Sequence, residues 1–376
     1  MRLTGLEVAP TDATYAWRVE DGMTAFSRVA ALAHATDDPV RIRHAIRESL
    51  DALDPDAVAI PSYSTPDAHA ALAWCRRHRR VAVMMFDSRA EDAARSAWRE
   101  AVKRALVREF DAALVAGTPQ AAYATALGLP PACIFAPLDV VDNDHFAALP
   151  NRAPRPGPDH QSEEERSPYI LSVNRFTARK NVGVLVRAYG EYRRYAPAPW
   201  PLVLVGDGPE REALERLAAP TPGITFTGFQ QIDQLPVWYR GAGVYVHPAQ
   251  SDPWGLVVNE AMAAGLPVLV STGAGCAPDL VAAGENGHTF APDDASTLAH
   301  HLAAVTGDPT TRARMSRRSK QIVAQYTPDH FAVGMLRAVD AGRARSDRSM
   351  GVAARLVLRA LAWAGRRPDS FHSVES

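Results

Sequence analysis

The sequence SDPWGLVVNEAMAAGLPVLVS, residues 251–271, predicts a loop, a helix and then a buried strand. An acid in the loop, Asp252, precedes a second acid inside the helix, Glu260, by eight residues. The first amides of a helix have no partner within it and carry a partial positive charge, so a helix that begins near Gly255 suits a phosphate group. Acids on either side of that phosphate can accept hydrogen bonds from hydroxyl groups. A nucleotide sugar has hydroxyl groups in these places, on its sugar at one end of the diphosphate and on its ribose at the other.

Outward from this stretch, short apolar strands alternate with helices over residues 167–326. Such strands predict a parallel sheet covered by helices on both faces, so we expect a doubly wound domain here. Ligands bind sheets of this kind beyond the carboxyl ends of the strands. The loops that follow the predicted strands therefore hold the candidate site residues.

Residues 1–146 show the same alternation more faintly and predict a second domain of the same class. The pattern fails before residue 56, where residues 3–10 fit a strand but no glycine-rich turn and amphipathic helix follow. One hypothesis is that Met1 is not the natural start and that this domain lacks its first strand–helix unit. The other predicted segments are a proline-rich interdomain linker (147–166), a helix that returns to the first domain (327–342) and a basic tail (343–376).

The composition is typical of a globular protein, with 47% hydrophobic residues, 22% charged residues and a formal net charge of −1. A near-neutral chain does not favour nucleic-acid binding. The cysteines lie far apart without a zinc-site spacing, which favours a reducing compartment. No apolar run reaches the ~18 residues of a membrane-spanning helix and no signal peptide is recognised, so we expect a cytoplasmic protein.

The basic tail carries seven arginines and one acid, Asp347, between residues 343 and 367. Within it, Val352, Leu356, Arg355 and Arg359 recur at helical spacings, and a tryptophan follows near the end of the pattern. One interpretation is an amphipathic helix on an anionic membrane surface, which would make the protein peripheral at the inner membrane face. The alternative is a solvated helix or one that docks on a domain.

Several ordered motifs in the second half, SVNRFTARKNVGVLVRAY, LVLVGDGPEREALE, ITFTGF and the acid–x7–acid segment with AMAAGLPVLVS, resemble glycosyltransferase family 4. A weaker similarity extends back over residues 110–146. The resemblance implies the α/β fold called GT-B, in which two doubly wound, Rossmann-like domains face each other across a cleft. It also implies a retaining enzyme that moves a hexose from a nucleoside diphosphate sugar to an acceptor and needs no metal.

The resemblance assigns the diphosphate to two cations, Arg175 and Lys180, at the end of the first strand of the second domain. The departing nucleoside diphosphate gains negative charge as the sugar–oxygen bond breaks, and fixed cations aimed at that charge lower the barrier. Arg179 is a neighbouring cation without an assigned role. The alternative for the whole segment FTARK is a solvated basic loop.

The resemblance also gives a role to each acid of the opening stretch. Asp252 aligns with the acid that contacts the donor sugar, which is usually Glu in the family, so the contact is one methylene shorter here. The alternative for Asp252 is a cap for the following helix. Glu260 aligns with the acid that binds the ribose hydroxyls, and its alternative is a surface carboxylate.

Backbone groups and one aromatic side chain complete the predicted donor site. The amides of Trp254, Gly255 and Leu256 are expected to face the sugar and the distal phosphate. Gly206 and Gly208 form a turn where a ligand can approach the backbone, although an ordinary strand–helix turn has the same sequence. Phe229 follows a strand at the position where the family holds the nucleobase, and its alternative is core packing.

The first half departs from the family pattern in two ways. The glycine-rich turn after the first strand is not found, and the stretch MMFDSRAED has Asp87 where many members have a histidine. Asp87 is predicted either to act near the acceptor or to serve as a turn or cap residue. The sequence Asp142–Asp144 resembles a metal-binding DxD motif, but it fits the family's turn before a short helix better, so no metal is expected.

These observations predict a retaining hexosyltransferase. Its acceptor could be a cell-surface polysaccharide, a lipid-linked sugar or a small metabolite. Two alternatives are a sugar phosphorylase on the same fold and a degenerate relative that binds nucleotide sugars without turnover.

Overall fold

The computed structural model describes residues 5–7, 26–28, 38–92, 96–148 and 168–364. The predicted linker and the last part of the basic tail lie largely outside the described residues. So does the segment after the first strand, where the glycine-rich turn was sought.

The N-terminal half is a parallel α/β unit. Its strands are β1 (Gly5–Glu7), β2 (Phe26–Arg28), β3 (Ala57–Pro61), β4 (Val81–Phe86), β5 (Ala112–Val115) and β6 (Ile134–Phe135). Its helices are α1 (Pro39–Leu53), α2 (Pro66–His78), α3 (Ala97–Val107), α4 (Thr118–Ala126) and α5 (Asn143–Ala147). The strands β3 to β6 form one parallel sheet in chain order, and β1 and β2 form a separate parallel pair. The central strands β4 and β5 are almost entirely buried, as their continuous apolar sequence predicts.

The helix α1 is an element that the sequence analysis missed. Its signals are present: Asp38 caps the first turn by accepting from the Val40 amide at 2.8 Å, and a proline occupies the first helical position. The buried residues Ala45, Ile46 and Leu50 recur at helical spacing on one face. The expected pattern was a strand, a glycine-rich turn and then a helix. The helix α1 instead starts from an Asp–Pro cap, so it does not match that pattern.

The C-terminal half is a second parallel unit. Its strands are β7 (Tyr169–Val173), β8 (Leu202–Val205), β9 (Ile224–Gly228), β10 (Ala242–His247), β11 (Val268–Ser271) and β12 (Gly287–Phe290). Its helices are α6 (Val182–Tyr195), α7 (Arg211–Ala218), α8 (Leu235–Gly241), α9 (Leu256–Ala263), α10 (Ala277–Leu280), α11 (Ala295–Gly307) and α12 (Pro309–Val323). The spatial strand order is β12-β11-β10-β7-β8-β9. Strand order therefore reverses between β7 and β10, which is where a doubly wound sheet binds its ligand.

Two further helices, α13 (Pro328–Arg343) and α14 (Val352–Ala364), leave the second unit and pack on the first. The helix α13 contacts β4, β5 and β6. The helix α14 packs against α3, and its residue Ala354 is fully buried there. The described part of the basic tail thus forms a helix that docks on a domain.

Candidate active site

The loops after the two strands at the reversal of strand order meet each other. The loop after β7 contains a 3-10 turn, Ala178–Lys180, and the loop after β10 contains Asp252. Lys180 Nζ donates to Oδ2 of Asp252 at 2.5 Å. The backbone joins the same loops, because the Arg179 carbonyl accepts from the Gln250 amide at 2.8 Å. Two residues that lie 72 positions apart are neighbours because their strands are neighbours in the sheet.

A histidine that the sequence analysis did not select completes this cluster. His247, the last residue of β10, places Nε2 2.9 Å from the same oxygen of Asp252. Burial lowers the pKa of His247, so the neutral ring donates through Nε2, and Nδ1 is buried without a hydrogen-bond partner among the described residues. Burial alone would raise the pKa of Asp252, but the hydrogen bond from His247 and the charge of Lys180 outweigh it and lower that pKa. Asp252 is therefore a buried, ionised and firmly held carboxylate.

The start of α9 lies directly against this carboxylate. Gly255 caps the helix with φ of +105°, and a Cβ placed there would lie 3.0 Å from His247 Nε2. Only glycine meets both conditions without strain. Asp252 is thus not the cap of this helix, which excludes the alternative role considered for it. The amides of Gly255 and Leu256 precede the first intrahelical hydrogen bond of α9 and are available to an anion.

The side chain of Trp254 does not join the cluster. It is buried, its Nε1 donates to Oδ1 of Asn259 at 2.9 Å, and its ring packs where a Cβ on Gly117 of the first unit would lie only 2.6 Å away. The contribution of Trp254 to a ligand site is therefore limited to its backbone amide.

The two cations of the β7 loop differ in their surroundings. Lys180 is paired with Asp252, whereas Arg175 is exposed and its side chain forms no hydrogen bond or ion pair with any described residue. The side chain of Arg179 is also exposed, and its carbonyl group holds the next loop. Arg175 is thus the cation that is available to a ligand without breaking a contact within the protein.

The glycines of the β8 turn hold the loop that carries Arg175. A Cβ on Gly206 would lie 1.9 Å from the carbonyl oxygen of Asn174, and one on Gly208 would lie 2.5 Å from that of Phe176. The protein's own backbone therefore requires glycine at both positions. Beyond this turn, the Gly206 amide donates to the Gly228 carbonyl at 2.9 Å, and the exposed ring of Phe229 follows. Phe229 is consequently not a core residue.

Glu260 lies apart from the Lys180–Asp252 pair on the buried side of α9. Its Oε2 accepts from the Tyr239 hydroxyl at 2.6 Å, and burial raises its pKa to about 7. The carboxyl group forms no hydrogen bond or ion pair with Lys180 or Asp252. It is not a surface carboxylate, so the alternative interpretation of this residue is excluded.

The first unit brings two more carboxyl groups towards Asp252. Asp87, immediately after β4, has a raised pKa because of partial desolvation and the nearby charges of Asp92 and Asp252. Asp139, in the loop after β6, was not selected from the sequence, and burial together with Asp87 and Asp252 raises its pKa to about 7. The sequence feature that could have indicated Asp139 as a site residue is its position after the carboxyl end of a strand. The cleft between the units is thus acidic on its N-terminal side.

Hydrogen bonds close the cleft along one seam. Arg89 Nη2 donates to the Gly273 carbonyl at 2.9 Å while the same guanidinium pairs with Asp92. The Thr118 amide donates to Asp279 Oδ2 at 3.0 Å, and Gln120 Nε2 donates to the Pro253 carbonyl at 2.6 Å. The last contact ties the first unit to the residue next to Asp252. These pairs are 133 to 184 positions apart, so no sequence pattern signals them.

The sequence that resembles a DxD motif forms a helix cap. Asp142 Oδ1 accepts from the amides of Asp144 and His145 at 3.0 Å each and thereby caps α5. Asn143 Nδ2 donates to the Val323 carbonyl at 3.0 Å. In the described part of the chain, no group of three His, Cys, Asp or Glu side chains is arranged to hold a metal ion.

Comparison with known proteins supports the fold. The structure of sucrose-phosphate synthase from Thermosynechococcus elongatus superposes with a TM-score of 0.68, covering 92% of this chain and 90% of that chain at 20% identity. The fold is GT-B, as the resemblance implied. Residues 158–322 match the family model of glycosyl transferases group 1.

Two relatives are each similar over less than half of this chain. The sulfoquinovosyl transferase SQD2 of Arabidopsis thaliana is 31% identical over 166 residues, which are 43% of this chain and 31% of that protein. The GDP-mannose-dependent alpha-(1-6)-phosphatidylinositol monomannoside mannosyltransferase of Mycolicibacterium smegmatis is 29% identical over 185 residues, which are 46% of this chain and 47% of that protein. The chain thus spans less than half the length of these relatives. The family model and the names of the relatives support a glycosyltransferase.

Proposed function

We propose that the protein is a retaining glycosyltransferase that moves a hexose from a nucleoside diphosphate sugar to an acceptor without a metal ion. The observation that carries this proposal is the cluster of Lys180, Asp252 and His247 at the reversal of strand order, directly against the start of α9. A fixed carboxylate, a cation and free helix amides lie side by side there. A sugar hydroxyl and a diphosphate need this combination of partners.

In this proposal the diphosphate lies between the start of α9 and the two cations of the β7 loop. Arg175 binds it without losing a protein contact, and Lys180 lies between the phosphate and the carboxylate of Asp252. Both cations stabilise the charge that develops on the departing phosphate. Asp252 orients the hexose by accepting from its hydroxyl groups, and Phe229 lies at the end of β9 where the base would stack.

Asp252 has no covalent role in this proposal, because two hydrogen bonds already fix its Oδ2 as an acceptor. The acceptor hydroxyl instead attacks the same face of the sugar from which the phosphate leaves. A departing phosphate oxygen takes the proton of that hydroxyl, so the new glycosidic bond forms as the old sugar–oxygen bond breaks. The seam between the units excludes water during this step.

The proposal extends to the class of acceptor. The name of the Mycolicibacterium relative gives a phosphatidylinositol monomannoside as its acceptor, which favours a lipid-linked sugar among the three acceptor classes considered. In this proposal Asp87 and Asp139, the carboxyl groups of the first unit near Asp252, bind hydroxyl groups of such a sugar. No observation favours the phosphorylase alternative, which would need a site for free phosphate in place of a nucleotide.

A thermal-shift screen against UDP-, GDP- and ADP-sugars tests the proposal, because a ligand that binds only the folded protein raises its melting temperature. We expect one nucleotide class to stabilise the protein and the Arg175→Ala variant to lose that response. The matched variant Arg179→Ala, which changes an adjacent exposed cation, should keep it.

Donor hydrolysis or transfer is then measured with the nucleotide class that binds. Binding without turnover across the sugars of that class would support the degenerate alternative. No stabilisation by any donor would contradict the proposal.

A further inference from the structure

The helix α14 has apolar residues on two opposite sides. At 3.6 residues per turn, Ala354, Leu358 and Leu361 lie on one side, and Ala354 is fully buried against the first unit. Val352, Leu356 and Trp363 lie on the opposite side within about 60° of one another. Their exposed fractions are 66%, 60% and 60%. The docking of α14 therefore leaves a second apolar face, here called the outer stripe, in contact with water.

Basic residues border the outer stripe on one flank. Arg359 lies about 20° from Val352 around the helix, and Arg355 lies about 40° further towards the docked side. The chain has no acidic residue from Arg348 to Pro368, so nothing on α14 itself neutralises these charges. A stripe of large apolar side chains beside arginines is typical of helices that lie in a membrane interface.

A basic groove continues this flank onto the first unit. The groove has a volume of about 230 Å³ and lies between α14 and the helices α1 and α2. Leu358 and Ala362 line it on the α14 side, next to Arg355 on the helix surface. Arg43, His44 and Arg47 of α1 line it on the other side, where His44 Nδ1 lies 3.1 Å from Glu48 Oε2. Positive charge thus extends from Arg355 of α14 to Arg47 of α1.

The helix α3, on which α14 packs, also carries an exposed aromatic side chain. Trp98 of α3, the helix on which α14 packs, is 60% exposed, and the guanidinium of Arg99 lies 5.7 Å from the centre of its ring. Tryptophan concentrates at the boundary between lipid and water because its ring is apolar and its N–H remains hydrated. No helix among the described residues is long and apolar enough to cross a membrane. A surface contact is the form of membrane binding that suits these features.

We propose that the outer stripe of α14 and its basic flank dock on an anionic phospholipid surface. Val352, Leu356 and Trp363 enter the interface between headgroups and acyl chains. Arg355 and Arg359, together with Arg47 of the groove, bind the headgroup phosphates. The contact concerns the N-terminal unit only, so it stands independently of the reaction proposed for the cleft.

Vesicle flotation with the full chain tests this proposal. The probes are vesicles of phosphatidylcholine alone and of phosphatidylcholine mixed with phosphatidylglycerol. We expect at least tenfold tighter binding to the anionic vesicles. The pair Arg355→Gln and Arg359→Gln should weaken that binding by about 25-fold, at about fivefold per arginine. The pair Leu356→Ser and Trp363→Ser should weaken it at least tenfold, because the stripe no longer buries apolar surface.

Matched changes on another helix provide the control. Val333 and Leu336 of α13 are likewise exposed, and the pair Val333→Ser and Leu336→Ser should bind within about twofold of the natural chain. All variants change exposed residues and should melt at the same temperature as the natural chain.

Equal binding to neutral and anionic vesicles would overturn the proposal, as would full binding by the stripe variant. A chain that does not bind vesicles but forms dimers, which the stripe variant dissociates, would show that a second copy covers the stripe, and this would also overturn it.

Discussion

Lys180 Nζ lies 2.5 Å from Oδ2 of Asp252, so the two side chains that were assigned to different parts of the donor are ion-paired with each other. The pair is partly shielded, with Asp252 buried and held from a second side by His247. Lys180 and His247 both contact the Asp252 carboxylate through Oδ2. A sugar hydroxyl of the donor can therefore bind the second carboxylate oxygen without displacing either side chain. The cation is then already in place for the phosphate, which reduces the reorganisation needed at the reaction step.

The first prediction concerns Lys180. Lys180→Ala should reduce kcat at least about 100-fold, because it removes a fixed charge beside the leaving group. Steady-state kinetics with the donor from the thermal-shift screen measure this loss, and circular dichroism confirms that the variant folds. Arg179→Ala provides the control and should keep kcat within about twofold. Similar losses in both variants would mean that the loop has a general electrostatic role and would contradict the assignment of Lys180.

The second prediction concerns the pH dependence of stability. Burial raises the pKa of Glu260 to about 7 in the folded protein, whereas an ordinary Glu has a pKa near 4.5. Between these values the folded chain holds a proton that the unfolded chain has released, so stability falls as pH rises from about 4.5 to about 7. The Glu260→Gln variant lacks this carboxyl group, so its free energy of unfolding should fall by up to about 3 kcal/mol less over the same pH range. Urea unfolding of both proteins at pH 5 and pH 8 measures the difference.

Asp139 has a raised pKa in the same range and contributes to the pH dependence of both proteins in the same direction. Only the difference between the natural chain and Glu260→Gln therefore reports on Glu260. Stability curves that run parallel over this pH range would contradict a protonated Glu260 in the folded protein. If the ribose binds the ionised carboxylate, donor affinity of the natural chain should also rise from pH 6 to pH 8, and that rise should vanish in the variant.

The third prediction separates backbone conformation from crowding at Gly206. Gly206→Ala should cost more than about 2 kcal/mol, because it combines a positive φ with a Cβ against the Asn174 carbonyl. Gly284→Ala has a positive φ as well, but a Cβ there meets nothing within 4 Å, so it should cost only about 1 kcal/mol. Chemical denaturation compares the two. Equal losses of stability in the two variants would show that the close contact between the β8 turn and the loop of Arg175 has no effect of its own.

The fourth prediction concerns the seam between the two units. Arg89→Ala removes the guanidinium that reaches the Gly273 carbonyl, and it should reduce kcat/KM about tenfold because the closed arrangement is less favoured. Small-angle scattering should show a larger average size for the variant. Arg80→Ala is the control, since Arg80 pairs with Asp54 and Asp56 within the first unit. An unchanged scattering profile in Arg89→Ala would contradict this role.

The sequence predicts the parts of this molecule that depend on local pattern. The strands of the second unit are continuous apolar runs, and the positions of β7 to β12 agree with expectation for that reason. Asp252 and Lys180 were selected because their loops follow strands and match an ordered set of motifs. The GT-B fold was predicted from the same motifs and is confirmed.

The remaining features depend on tertiary contacts. His247 ends an apolar strand and has the sequence environment of a core residue, so only the short distance to Asp252 reveals its role. Glu260 belongs to the predicted motif, yet its hydrogen bond to Tyr239 depends on how α8 packs on α9. Arg89 contacts a carbonyl 184 positions away. A single sequence specifies these contacts only through the complete fold.

The segment between α13 and α14 limits how the protein can be shortened for expression or crystallisation. Arg348 donates through Nη2 to the Phe110 carbonyl at 2.7 Å and lies against Asp111, a fully buried carboxylate that also binds Arg76 and the Ala82 amide. A shorter protein that ends before this arginine would leave a buried carbonyl unpaired and a buried acid with less compensation. Trimming the C-terminus would therefore weaken the sheet that supports Asp87, although that residue lies far away in the chain.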